Sequence, residues 1–175
     1  GLPAQKQVKV ISFARLCNLV LHHMGPLRMR YIDGAGKRMI AERTMQLLEG
    51  ELTFLRRNLH QMGFAATLTE TFSECKRYGV SPQALQFAAA NAPYPELSAK
   101  LSELAMLYET YHNLIETHHA DAEDNLTLIC PKIKDCDFLT GKLYILHFRS
   151  FTPVEYRALG ALMQRLSVCA AFDYS

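Results

Sequence analysis

Residues 142–156 read Lys142-Leu143-Tyr144-Ile145-Leu146-His147-Phe148-Arg149-Ser150-Phe151-Thr152-Pro153-Val154-Glu155-Tyr156. The apolar run Leu143–Leu146, bounded by Gly141, predicts a short strand buried on both faces. Thr152, Pro153 and Glu155 then form a helix start: a hydroxyl at the N-cap, proline at the first helical position and an acid in the first turn. Tyr156, Leu159, Leu162, Met163 and Leu166 follow at helical spacing, and Ser167–Phe172 reads as a second buried strand. A strand, a helix and a strand in this order form a βαβ unit, which implies a parallel sheet.

Toward the amino terminus, Val8-Lys9-Val10-Ile11 predicts another short strand. Ser12 is suited to cap the helix after it, which would bury Phe13, Leu16, Cys17, Val20 and Leu21 and stop at Gly25-Pro26. From Asp33 to about Pro131 the periodicity is helical almost throughout. Asp33-Gly34 opens one helix and Gly50 stops it. Ala65–Tyr78 forms another, closed by Gly79, and Ser81-Pro82 starts a third. The longest helix runs from about Glu96 to Thr117, after the stiff linker Asn91–Pro95, and Asp121–Asp124 makes an acidic start to a last one. The expected fold class is therefore α/β but mostly helical. Residues 1–25 and 132–175 would form the parallel-sheet part, and residues 26–131 an all-α subdomain inserted into it.

The chain has 175 residues, 49% of them hydrophobic and 21% charged, as expected of a folded globular chain. No apolar run approaches the roughly 20 residues needed to span a bilayer, so no membrane partner is expected. Five scattered cysteines, an odd number, fit a reducing, cytoplasmic compartment and are most simply buried thiols. Residues 1–80 carry a net charge of +6 and residues 81–175 a net charge of −4. A modestly basic half can face phosphates, although solvated helix faces explain the same numbers. The basic candidates for such contacts are Arg15, Arg28, Arg30, Lys37, Arg38, Arg43, Arg56, Arg57, Lys76 and Arg77, and Arg28 and Arg30 lie beside a stacking neighbour in Tyr31.

Much catalytic chemistry has no matching pattern. Gly34-Ala35-Gly36-Lys37-Arg38 lacks the first glycine and the hydroxyl of a phosphate-binding loop, and no buried strand precedes it. His118, His119, Cys130 and Cys136 match no zinc-ligand spacing, and no nucleophile elbow occurs. Helicase-type nucleotide hydrolases hold paired acids after a strand like Leu143–Leu146, one for Mg²⁺ and one to activate water. Here no acid occurs between Asp137 and Glu155, and the positions read Leu146-His147.

Phe148, Phe151-Thr152-Pro153 and Glu155 resemble the Asp-Gly-Phe…Phe-Thr-Pro-x-Glu signature of the amino-terminal helicase-like region of AddB/RexB subunits of bacterial helicase–nucleases. Leu146-His147 stands where that family usually has Asp-Gly, a degenerate Walker B-like position. Ser12-Phe13-Ala14-Arg15-Leu16, Gly36-Lys37-Arg38-Met39-Ile40 with Arg43, Glu74–Pro82 with Leu85, and Lys100-Leu101 with Glu103-Leu104, Tyr108 and Tyr111 are similar to further family segments, in the family's order. The resemblance covers nearly the whole chain. It implies a partial RecA-like (P-loop NTPase-type) sheet with a helical insertion, in a subunit that pairs with an AddA/RexA-type motor and resects double-strand DNA breaks. This piece would guide or scan DNA without being the motor. Ser12 and Phe13 would touch the single strand by resemblance, with Arg15, Arg28, Arg30 and Tyr31 as further DNA-binding candidates. The piece itself would hold no cofactor and no catalytic residue. The resemblance places ATP/Mg²⁺ in the parent protein and its 4Fe–4S cluster beyond Ser175. Two other readings stand beside it: an architectural helical module that only docks the partner subunit, and an unrelated small α/β enzyme using His147 as a base.

Overall fold

The computed structural model describes residues 8–23, 25, 30–116, 119–120 and 124–171. Helix α1 (Phe13–His23) leads to a two-residue strand β1 (Arg30–Tyr31). Then follow α2 (Gly34–Leu48), α3 (Arg56–Leu59), α4 (Phe64–Tyr78), α5 (Pro82–Ala90) and α6 (Pro95–Glu116). Strand β2 (His119–Ala120), α7 (Asn125–Ile129), a 3₁₀ turn (Cys130–Asp135), β3 (Lys142–Ile145), α8 (Pro153–Met163) and β4 (Ser167–Ala170) complete the order.

The βαβ unit forms as its residues predict. Strands β3 and β4 pair in parallel, Lys142 opposite Ser167 and Ile145 opposite Ala170. Thr152 and Glu155 make a reciprocal capping box: the Glu155 N–H donates to Thr152 Oγ1 at 3.3 Å, and the Thr152 N–H to the Glu155 carboxylate at 2.7 Å. Val154, Ala158, Leu159 and Leu162 form the buried stripe of α8, whereas Tyr156 and Met163 face solvent. The prediction that β3 is covered on both faces is corrected: Ile145 is buried, but Tyr144 and Leu146 are exposed. One face of β3 packs on the helices of the core, and among the described residues no layer covers the other.

The strand expected at Val8–Ile11 is absent. Val8 and Val10 stand 86% and 93% exposed. β-Branched residues suit an extended backbone, but a strand needs a partner for its N–H and C=O groups, and no described strand pairs with this one. Conversely, β1 and β2 form a parallel pair, Arg30 opposite His119 and Tyr31 opposite Ala120. This pair brings together the two ends of the helical stretch, and at two residues each it leaves no periodicity to read.

Helix starts and stops follow their side chains. The Asp33 carboxylate accepts the Gly36 N–H at 2.8 Å, and Ser12 and Ser81 cap α1 and α5 through the N–H groups of Arg15 and Ala84. Gly79 closes α4 at φ 70°, with its own N–H on the Lys76 carbonyl and that of Val80 on the Cys75 carbonyl.

Buried residues fall into two clusters. One joins α2, α4 and α6: Phe72, fully buried, stacks on Tyr108 and leans on Tyr111, each ring centre 4.9 Å away. The other joins α1, α7, the 3₁₀ turn, β3 and α8 through Leu16, Val20, Ile129, Ile133, Ile145 and Leu162. Lys76 links the two sides, its buried ammonium 2.7 Å from the Asp124 carboxylate before α7. The described residues are thus mostly helical with small parallel sheets.

Candidate nucleic-acid interface

The cap of α1 and the loop after β3, far apart in sequence, meet in space. Phe13 packs edge-on against Phe148 at 5.7 Å and Phe151 at 6.3 Å. Phe148 and Phe151 stack on each other at 4.8 Å, and Phe151 meets the edge of Tyr156 at 5.4 Å. Four rings therefore run continuously from α1 to the first turn of α8. The three phenylalanines are half-buried, while Tyr156 is 61% exposed. Beneath them lies an apolar cavity of about 100 Å³ bounded by Ile11, Ser12, Leu143, Ile145 and Leu159. Ser12, which lines it, is exposed, as are Arg15 in α1 and Arg149 in the β3–α8 loop. Phe148, Phe151 and Tyr156 are not marked as contact residues by sequence. Their signal, three rings within nine residues, acquires meaning only once Phe13 is seen beside them.

His147 occupies the turn leaving β3 with φ 62°, the one described non-glycine residue in the left-handed region. That conformation is natural for glycine and costs other residues energy. Leu146 and His147 are both exposed. Neither offers a carboxylate, so the residues at the end of β3 do not fit a Mg²⁺–nucleotide site.

Of the other predicted residues, Arg28 lies outside the described residues, and Arg30 and Tyr31 are placed by their backbone in β1. Lys37 and Arg77 come together across α2 and α4, around a surface hollow of about 320 Å³ that also contains Glu70 and Ser73. Lys76 is withdrawn from the basic surface, because it is buried against Asp124. Gly36 has a structural role: a Cβ there would lie 2.6 Å from the Ile32 side chain.

Of the five thiols, only Cys17 and Cys136 are fully buried; Cys75 and Cys130 are half-buried and Cys169 is exposed, which corrects the expectation of five core cysteines. Burial, reinforced by nearby Cys130, pushes the Cys17 thiol up to about 11. Burial also raises Cys75, Cys130 and Cys136. None of these four is a ready thiolate at neutral pH. Of the four residues weighed for zinc, His118 lies outside the described residues, and among those described no group of three or more His, Cys, Asp or Glu side chains converges. No described helix is long and apolar enough to cross a membrane.

A mostly helical chain with a capped βαβ unit, an aromatic run and a strand end without acids defines a helical α/β chain with small parallel sheets. Comparison with known proteins is more specific. The family model described as "ADDB, N-terminal" matches residues 1–172, so the chain belongs to that family. It is 30% identical over 160 residues to the B subunit of the ATP-dependent helicase/deoxyribonuclease of Clostridioides difficile (strain 630), a match covering 91% of this chain and 14% of that protein. The proteins of the same description from Desulforudis audaxviator (strain MP104C) and Clostridium acetobutylicum are 32% and 29% identical, each covering 99% of this chain and 16% and 15% of the relative. The chain thus spans about one-seventh of the length of the relatives it matches.

Proposed function

We propose that this chain is the amino-terminal, non-motor, helicase-like region of a helicase–nuclease subunit, and that it guides single-stranded DNA as a broken end is unwound and resected. The observation that carries this reading is the meeting of Ser12-Phe13 with Phe148, Phe151 and Tyr156 at a strand end lacking carboxylates. Aromatic rings beside exposed arginines suit bases and phosphates, and without acids the element binds rather than hydrolyses. We divide the chain into a RecA-like part, residues 1–25 and 132–175, and a helical insertion, residues 26–131; the two hydrophobic clusters support two such parts, with Ile129 of α7 packing in the cluster of the first. In this reading an AddA/RexA-type subunit supplies the motor. ATP with Mg²⁺ and a 4Fe–4S cluster belong to other parts of the assembly, which works in the cytoplasm.

The test is fluorescence anisotropy of labelled single-stranded DNA with the full-length protein carrying this chain, across a salt series. Affinity falling steeply with salt, and weakened when Arg15, Arg28 and Arg30 are each changed to Glu, is the expected result. Unchanged DNA affinity in those variants, with assembly onto the motor intact, would favour a purely architectural role. A His147→Ala protein that loses turnover while keeping DNA affinity would instead favour an enzyme using His147 as a base.

A further inference from the structure

Residues 80–95 contain no charged side chain and no histidine. They hold α5 and the turn into α6. One side of α5 is committed to the helical core: Pro82 and Ala89 are buried, and Leu85 packs against the cluster of α2, α4 and α6. Ala84, Phe87, Ala88 and Asn91 are spaced i, i+3, i+4 and i+7, so they share the other face, and all four are exposed. Phe87 stands 73% exposed, and Tyr94, in the turn, 68%. The Asn91 amide turns back to donate to the Phe87 carbonyl at 2.8 Å, and at the edge Gln86 donates to the Glu109 carboxylate of α6 at 3.4 Å. The outer face of α2 differs. Its exposed Met39 and Leu47 are interleaved with Arg38, Glu42 and Arg43, as on a face that water covers. Loss of charge around an aromatic side chain is the composition of an interface core, and such a face left open invites aggregation.

We infer that the outer face of α5, centred on Phe87, is a permanent docking surface whose occupant is an apolar segment of the same polypeptide. This rests on one part of the reading above, that the chain is a region of a longer subunit. The relatives it matches are about seven times as long, so about six-sevenths of such a subunit lies outside the matched region. Apolar, charge-free faces belong to permanent contacts, whereas surfaces that open and close are more polar. A segment of the same chain meets α5 at high effective concentration and covers it as the protein folds. A separate subunit would leave Phe87 in water until assembly, and residues 80–95 offer no charge to steer a diffusing partner. The complementary segment is uncharged as well, because a charge buried against Phe87 would have no partner there.

The experiment uses the full-length protein with Phe87→p-benzoylphenylalanine, irradiated alone and after assembly with its partner subunit. Isotope-labelled and unlabelled protein are mixed, so that mass spectrometry separates links within one chain from links between two copies. The expected product, in both samples, joins α5 to a peptide of the same chain outside residues 1–175. Links only to the partner subunit, links only between copies, or no links would each overturn the inference. Ala88→Cys is a milder change and gives a second measure. Read on the peptide that holds residue 88, its alkylation by iodoacetamide should be at least about tenfold slower in the folded subunit than in urea. Alkylation at the urea rate would also overturn the inference. Single-stranded DNA affinity of the same protein tests guiding separately. Intrachain links without DNA affinity would sink guiding alone, and DNA affinity without such links would sink the covered face alone.

Discussion

Single residues account for two features that the family motifs only hint at. His147 holds the left-handed turn after β3 with φ 62°. A histidine there carries backbone strain that glycine does not, so His147→Gly should stabilise the protein by about 1 kcal/mol. A urea midpoint that rises with unchanged m-value is the expected result; a falling midpoint would mean that the side chain's own contacts outweigh the strain. Glu103, the acid of the Lys-Leu-x-Glu segment, has a structural task. Its buried carboxylate accepts the backbone N–H groups of Thr53, Phe54 and Leu55 at 2.8–2.9 Å and the Thr53 hydroxyl at 2.7 Å, thereby capping the turn before α3. Burial raises its pKa, but the hydrogen bonds from Leu55, Phe54 and Thr53 outweigh it and the net shift is downward from 4.5. A lowered folded pKa means this stabilisation is present above the ordinary glutamate range and lost as pH falls through the folded value. Glu103→Gln should therefore cost about 2 kcal/mol at neutral pH. The gap between variant and parent should close in acid, which urea titrations at several pH values would read.

Between elements, the ion pair Lys76–Asp124 joins α4 to the start of α7 across the two hydrophobic clusters. Lys76 keeps 4% of its side-chain surface exposed and Asp124 keeps 30%, so truncating Lys76 removes the ammonium from a carboxylate that water still reaches. Lys76→Ala should cost about 1–2 kcal/mol, between the values for exposed and buried pairs, while Lys76→Met combined with Asp124→Leu should recover most of that, because both charges leave together. Equal losses in the single and double variants would show that the pair contributes little beyond volume. Within the helical cluster, Phe72 is the ring that α2, α4 and α6 share. Phe72→Ala should cost about 3–5 kcal/mol by thermal or urea unfolding.

Across the whole molecule, what was legible in the sequence was what short-range chemistry dictates. Caps at Ser12, Asp33, Ser81 and Thr152, the glycine stop at Gly79 and the period of the long helices are local, since each depends on residues within one or two turns. The parallel pairing of β3 with β4 followed from the strand–helix–strand order. The amino-terminal strand, the double-sided burial of β3 and the five buried cysteines failed for one reason: burial and strand pairing depend on distant neighbours. Val10 pairs with no described strand, and Tyr144 and Cys169, opposite each other in the sheet, stay exposed among the described residues. The β1–β2 pair, the Glu103 cap and the Lys76–Asp124 link likewise join residues about 50 or more positions apart. The sequence by itself thus determined the helices, the βαβ unit and the missing carboxylates after β3. Only the tertiary structure decided that Phe13 meets Phe148, Phe151 and Tyr156, because a cluster assembled from both ends of the chain has no local pattern to announce it.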